Sequence, residues 1–159
     1  NNYASSNVDM PTMPLDILSV FSNDNSVVVF DVGGDDDGAL ALGQYKQYFD
    51  KYGYEMHFIV NTKRPLTRTN DELIEIAERI ESASRLKFTD IYNNTNLSDQ
   101  TDETTLFSGY DEIKMLSKKM GIVIKKNCGI DKALSNVPTN LKDTVFRMNI
   151  CILRPWEIQ

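Results

Sequence analysis

The stretch VVVFDVGGDDDGALALGQY, residues 27–45, limits the folds open to this chain more than any other. Val27, Val28, Val29 and Phe30 form an unbroken apolar run, mostly β-branched, with the composition of a strand covered on both faces as in parallel sheets. Asp31 and Gly33-Gly34 end that run, and Gly38-Ala-Leu-Ala-Leu-Gly then opens a helix. A strand that stops in Asp-x-Gly-Gly before a helix matches the place where open α/β sheets hold their ligands.

The residue types at that junction carry a specific chemistry. A carboxylate at a strand tip, Asp31, suits Mg²⁺, held directly or through water. Gly34 lets a backbone N–H approach a phosphate with no Cβ in the way. Asp35, Asp36 and Asp37 read instead as a cap that complements the dipole of the following helix. Capping does not account for Asp31, a charge at the end of a buried strand.

The rest of the chain repeats the strand–helix order. A short helix is expected over 15–21, then the strand Val27–Val32, then a helix over about 37–51 that Gly53 stops. Further strands are expected over Glu55–Val60 and Lys87–Tyr92. Between them Thr69-x-x-Glu72 forms a capping box before a helix lined by Leu73, Ile76, Ala77, Ile80 and Ala83. A turn near Thr104, a helix over Tyr110–Met120 that starts with Ser108-x-x-Asp111, a strand over 122–124, a helical turn over 130–134 and a strand over 146–153 complete the reading. Alternation of this kind predicts a single α/β domain over 1–159: a three-layer, mostly parallel sheet with Asp31, Asn61 and Asn94 along one rim.

Composition removes several function classes. With 17 Lys+Arg against 23 Asp+Glu and a net charge of -6, no global attraction to nucleic acid or anionic lipid is expected. No apolar run reaches membrane-spanning length and no signal peptide is evident, so the expected location is cytoplasmic. Cys128 and Cys151 are too few for a zinc knuckle. His57, the only histidine, lies in the apolar run YEMHFIV and reads as structural. The sequons at Asn93 and Asn96 would stay bare in such a compartment.

Four segments resemble one known family: Asp9-Met-Pro, FDVGGDDDGALALGQY, VNTKRP, and IYNNTNL followed by Thr101. Together they look like the CobQ/CobB/MinD/ParA-type P-loop ATPases, over nearly the whole chain beyond its first dozen residues. The resemblance implies ATP and Mg²⁺ as ligands of the intact protein. Asp31 would be the Walker B or switch II carboxylate that acts on Mg²⁺, and Gly34 would offer its N–H to the γ-phosphate. Asn94 looks like the family's base-contacting asparagine, with Asn61 at the neighbouring strand end. The 124–127 segment, with Lys125, resembles the loop that closes over the adenine.

One part of the family pattern is missing. The deviant P-loop K-G-G-x-G-K-[ST], with its strand and helix, occurs nowhere in the 159 residues. The cradle for the phosphates is therefore absent, and the chain reads as the carboxyl-terminal portion of an ATPase, inactive alone and prone to self-association. A rival reading makes Asp31, Asp35, Asp36 and Asp37 the metal cluster of a Mg²⁺-dependent phosphatase or hydrolase. As an EF-hand that cluster fails, because Gly33 and Gln44 would occupy the first and twelfth ligand positions. A third is a non-catalytic α/β interaction domain.

Overall fold

The structure, a computed structural model, describes residues 18, 20–21, 27–34 and 36–150. Its backbone divides into two compact units, one drawn from residues 1–55 and 77–87, the other from 56–76 and 88–159.

In the first unit, Asp36–Gly43 forms α1 and Lys46–Tyr52 forms α2, where one helix over 37–51 is expected. The break has a local cause. A Cβ on Gly43 would lie 2.7 Å from the Ala83 carbonyl oxygen, so only glycine permits this approach. The Arg85 guanidinium donates to the Gly43 carbonyl, the acceptor that a continuous helix would offer to the residue-47 N–H. The chain turns at Gln44-Tyr45 and starts a new helix. Phe49, buried, gathers Phe21, Phe30 and Tyr54 around it at ring separations of 5.2, 5.4 and 5.9 Å.

The expected strand Val27–Val32 is not a strand. No ladder includes it, and Val27 and Val29 are 94% and 85% exposed, whereas Phe30 and Val32 are half-buried. A β-branched run becomes a strand only where a neighbour takes up its backbone hydrogen bonds and covers its side chains. Here one face rests on Phe49 through Phe30, and the other stands in solvent.

The second unit is built on four strands: β1 (His57–Val60), β2 (Asp90–Asn93), β3 (Val123–Gly129) and β4 (Val145–Arg147). All neighbouring pairs run parallel, in the order β1-β2-β3-β4. The α/β class and the parallel sheet are therefore present. β1 and β2 start later than the sequence suggests because the Thr89 hydroxyl accepts the Met56 N–H at 3.0 Å, which replaces a ladder bond. β3 is longer than the expected 122–124; β4 covers only the start of the expected 146–153, of which 151–153 lie outside the described residues.

Connections between these strands follow their capping chemistry. Asn70–Ser84 forms α3, and its capping box is complete: Glu72 Oε2 accepts from the Thr69 N–H at 3.0 Å and the Arg68 N–H at 2.7 Å, and Thr69 Oγ1 accepts from the Glu72 N–H at 3.3 Å. Glu103–Phe107, expected as a turn, is α4, capped by Asp102, which accepts from the Thr105 N–H at 2.7 Å. α5 spans Tyr110–Met120 as the sequence predicts and ends in Gly121 at φ 71°. Its N-cap is Gly109 and not Ser108, whose hydroxyl donates back to the Thr105 carbonyl and closes α4. Ile91, Leu106, Ile113 and Leu116 are fully buried.

The capping hydrogen bonds from Thr69 and Arg68 hold the Glu72 carboxyl below its ordinary value of 4.5. A depressed folded value means that the stabilisation is complete above pH 4.5 and is lost as pH falls through the lower folded value. Glu72→Ala should therefore lower the thermal midpoint near neutrality, and scans at descending pH should show that difference shrinking below 4.5.

Candidate functional site

Because the four strands run parallel, their carboxyl ends and the loops that follow open on one edge of the sheet. Asn93 closes β2 and Asn127 lies opposite it in β3. Both are fully buried. Asn93 Nδ2 donates to Asn127 Oδ1 at 3.0 Å and to the Leu106 carbonyl at 3.1 Å, and Asn93 Oδ1 accepts from the Thr95 N–H at 3.1 Å. Asn127 Nδ2 passes the chain on to Thr144 Oγ1 at 2.9 Å, which donates to the Leu141 carbonyl at 2.6 Å. A relay of neutral amides and one hydroxyl thus ties β2, β3, α4 and the approach to β4.

A second set clasps the two rim loops. Asn61 Oδ1 accepts from the Lys63 and Asn96 N–H groups at 3.0 and 3.2 Å, and Asn61 Nδ2 donates to the Asn96 carbonyl at 3.2 Å. Below it the buried Thr62 and Thr95 hydroxyls lie 3.2 Å apart. Leu66 and Ser98, one in each loop, hold positive φ of 64° and 57°, a conformation that costs about 1–3 kcal/mol in non-glycine residues. Leu66 and Leu97 stay exposed on these loops.

Asn94 differs from its neighbours. Its N–H extends the ladder to the Val60 carbonyl at 2.8 Å, yet its Oδ1 is out of water with no hydrogen-bond partner. Asn70 Oδ1, at the start of α3, is likewise buried without a partner, and such an oxygen can be completed by a donor from water or from a ligand.

The opposite edge of the sheet is charged. Asp90, buried at the start of β2, has Oδ1 2.6 Å from His57 Nδ1, Oδ2 3.2 Å from Lys125 Nζ, and the Thr89 hydroxyl 3.2 Å away. The 124–127 segment, expected as a loop over adenine, is instead the middle of β3. Ile124 pairs with Ile91 and Lys126 with Tyr92, so Lys125 is the extra residue of a bulge and reaches Asp90.

Compared with known proteins, the chain matches no family model, no curated protein and no solved structure. Function therefore has to be argued from the site.

Of the residues singled out in the sequence, Asn61 and Asn94 come together on the carboxyl rim. Lys125 belongs to the charged edge. Asp31 and Gly34 lie in the first unit, both exposed, and a Cβ on Gly34 would meet nothing within 4 Å. Asp35 and the side chains of Asp36 and Asp37 lie outside the described residues. Sequence reasoning missed Asn93, Asn127 and Asp90; the Asn93-Asn94 doublet was the available signal for the first. Cys128, the residue before the last of β3, is buried, and burial pushes its thiol up to about 11.

Adjacent asparagines should respond oppositely to truncation. Asn93→Ala leaves the Asn127 and Leu106 oxygens and the Thr95 N–H unpaired, and should cost about 3 kcal/mol. Asn94→Ala removes an oxygen that bonds nothing and should fall within about 1 kcal/mol of wild type in urea unfolding.

Proposed function

We propose that this chain is a nucleotide-binding portion of a MinD/ParA-like P-loop ATPase and that the carboxyl rim of its sheet contacts the adenine. The observation that carries this reading is Asn94 Oδ1, buried without a hydrogen-bond partner in the residue that follows β2, next to the loop that Asn61 ties down through Asn96. An adenine amino group is a donor of the right kind for that oxygen, and the exposed Leu66 and Leu97 offer apolar surface for the ring faces. Supporting context comes from the all-parallel α/β sheet and from the family resemblance of IYNNTNL and VNTKRP.

ATP and Mg²⁺ are ligands of the intact protein in this reading. The metal half finds less support in this chain. Among the described residues no cluster of three ligating side chains includes Asp31, so in this reading the exposed Asp31 carboxylate would need the nucleotide's phosphates to complete a Mg²⁺ site. Self-association fits the same reading, because Val27 and Val29 present an exposed β-branched face with no ladder. Among the described residues no helix is long and apolar enough to cross a membrane.

Calorimetry of the 159-residue chain with adenosine and AMP tests the proposal. Saturable binding is expected with a Kd on the order of 1 mM, weakened roughly tenfold by Asn94→Ala, the loss expected for one buried hydrogen bond. ATP hydrolysis should be undetectable, with or without Mg²⁺. Absent binding by the folded chain, or binding indifferent to Asn94→Ala, would overturn it.

A further inference from the structure

The sheet of the second unit has two edges, β1 and β4, and they are guarded differently. β4 is three residues long, and Arg147 at its end pairs with Asp131 at 2.9 Å, a charged finish of the kind that keeps other chains off an edge. β1, His-Phe-Ile-Val, carries no proline, lysine or arginine and pairs with β2 without a bulge. The Met56 and Val60 carbonyls accept from the Thr89 and Asn94 N–H groups, so the alternation of a strand turns the Ile59 backbone to the open side. The Ile59 side chain is 54% exposed. We propose that this edge takes up the Val27–Phe30 run of a second copy of the chain as an added parallel strand.

The run has what the edge lacks. Val27 and Val29 are the more exposed positions, Val28 and Phe30 the more covered ones, which is the period of a strand with one face already packed. Phe30 rests on Phe49 and fixes the carboxyl end of the run, yet no ladder takes up its backbone. β1 is four residues long, and so is the run. Strand addition to an exposed edge draws its affinity from main-chain hydrogen bonds, which both segments have to offer. Charge selects the parallel sense. The exposed Asp31 ends the run, and the exposed Lys63 and Arg64 follow β1, so parallel pairing brings the carboxylate toward the two cations. Antiparallel pairing would carry Asp31 to the end of β1 that Glu55 precedes.

This pairing rests on the self-association in the reading above and not on the base contact at Asn94, so Asn94→Ala should associate as wild type does and Val29→Lys should bind adenosine as wild type does. Sedimentation equilibrium of the 159-residue chain should show reversible association. Val29→Lys and Ile59→Lys, both at exposed positions, should each weaken it at least roughly tenfold while keeping dispersed amide spectra. Asp31→Lys alone and Lys63→Glu/Arg64→Glu alone should also weaken it, and mixing these two variants should restore it, because each run then meets cations or carboxylates of opposite sign. A nitroxide on Val29→Cys, in a Cys128→Ala/Cys151→Ser background, should broaden the amides of residues 57–60 in isotope-labelled wild type mixed with it. A monomer mass at every concentration, association indifferent to both lysine variants, or no recovery on mixing the charge-reversed pair would overturn the pairing. Broadening of 57–60 only when nitroxide and isotope share one chain would overturn it too.

Discussion

The amide pair Asn93–Asn127 is the contact on which the rest of the second unit depends. Two fully buried side-chain amides are costly in a core unless each polar atom finds a partner. Here Asn93 spends both of its N–H bonds and its oxygen within the protein, on β3, α4 and the loop that leaves β2. Apolar contacts at Ile91, Leu106, Ile113 and Leu116 supply burial, but such contacts tolerate sliding. Directional bonds at the carboxyl ends do not. They set where β2 ends relative to β3, and so where Asn94 and the loop beyond it begin.

The two edges of the sheet separate two kinds of polar chemistry. At the amino edge a buried carboxylate, Asp90, is balanced by His57, Lys125 and a threonine hydroxyl. Removing one of these partners would leave the buried Asp90 carboxyl less well compensated. At the carboxyl edge the groups are neutral amides and hydroxyls, and Asn94 Oδ1 is left without a partner there, as Asn70 Oδ1 is at the start of α3. Neutral donors and acceptors suit the edge of a base. The bulge at Lys125 keeps a lysine on the charged edge, where it completes the balance of Asp90.

Much of this architecture was legible in the sequence, and the failures have identifiable causes. The capping box of α3 and the limits of α5 were readable because local rules alone decide them, through Thr69, Glu72 and Gly121. Parallel pairing of β1 with β2 followed from the helix between them. Val27–Val32 misled because strand propensity describes how a run fits a neighbour, and the run itself does not reveal whether one exists. The split between α1 and α2 depends on Arg85 reaching Gly43 from 42 residues away, which no local pattern encodes. Asn61 and Asn94 were found because strand ends in parallel sheets are where polar residues matter. Asn93 and Asn127 were missed because a buried amide and an exposed one look alike in a sequence.

The central claim is that the carboxyl rim, with its unpaired Asn94 oxygen, is a ligand surface and not a finished structural edge. Amide NMR mapping of adenosine on the 159-residue chain tests it most directly, since adenosine carries the base without any phosphate. The account predicts saturable shifts concentrated in residues 61–67 and 94–101, with His57, Asp90 and Lys125 unmoved. Shifts centred on His57, Asp90 and Lys125, or no saturable shift at all in a well-folded sample, would contradict it.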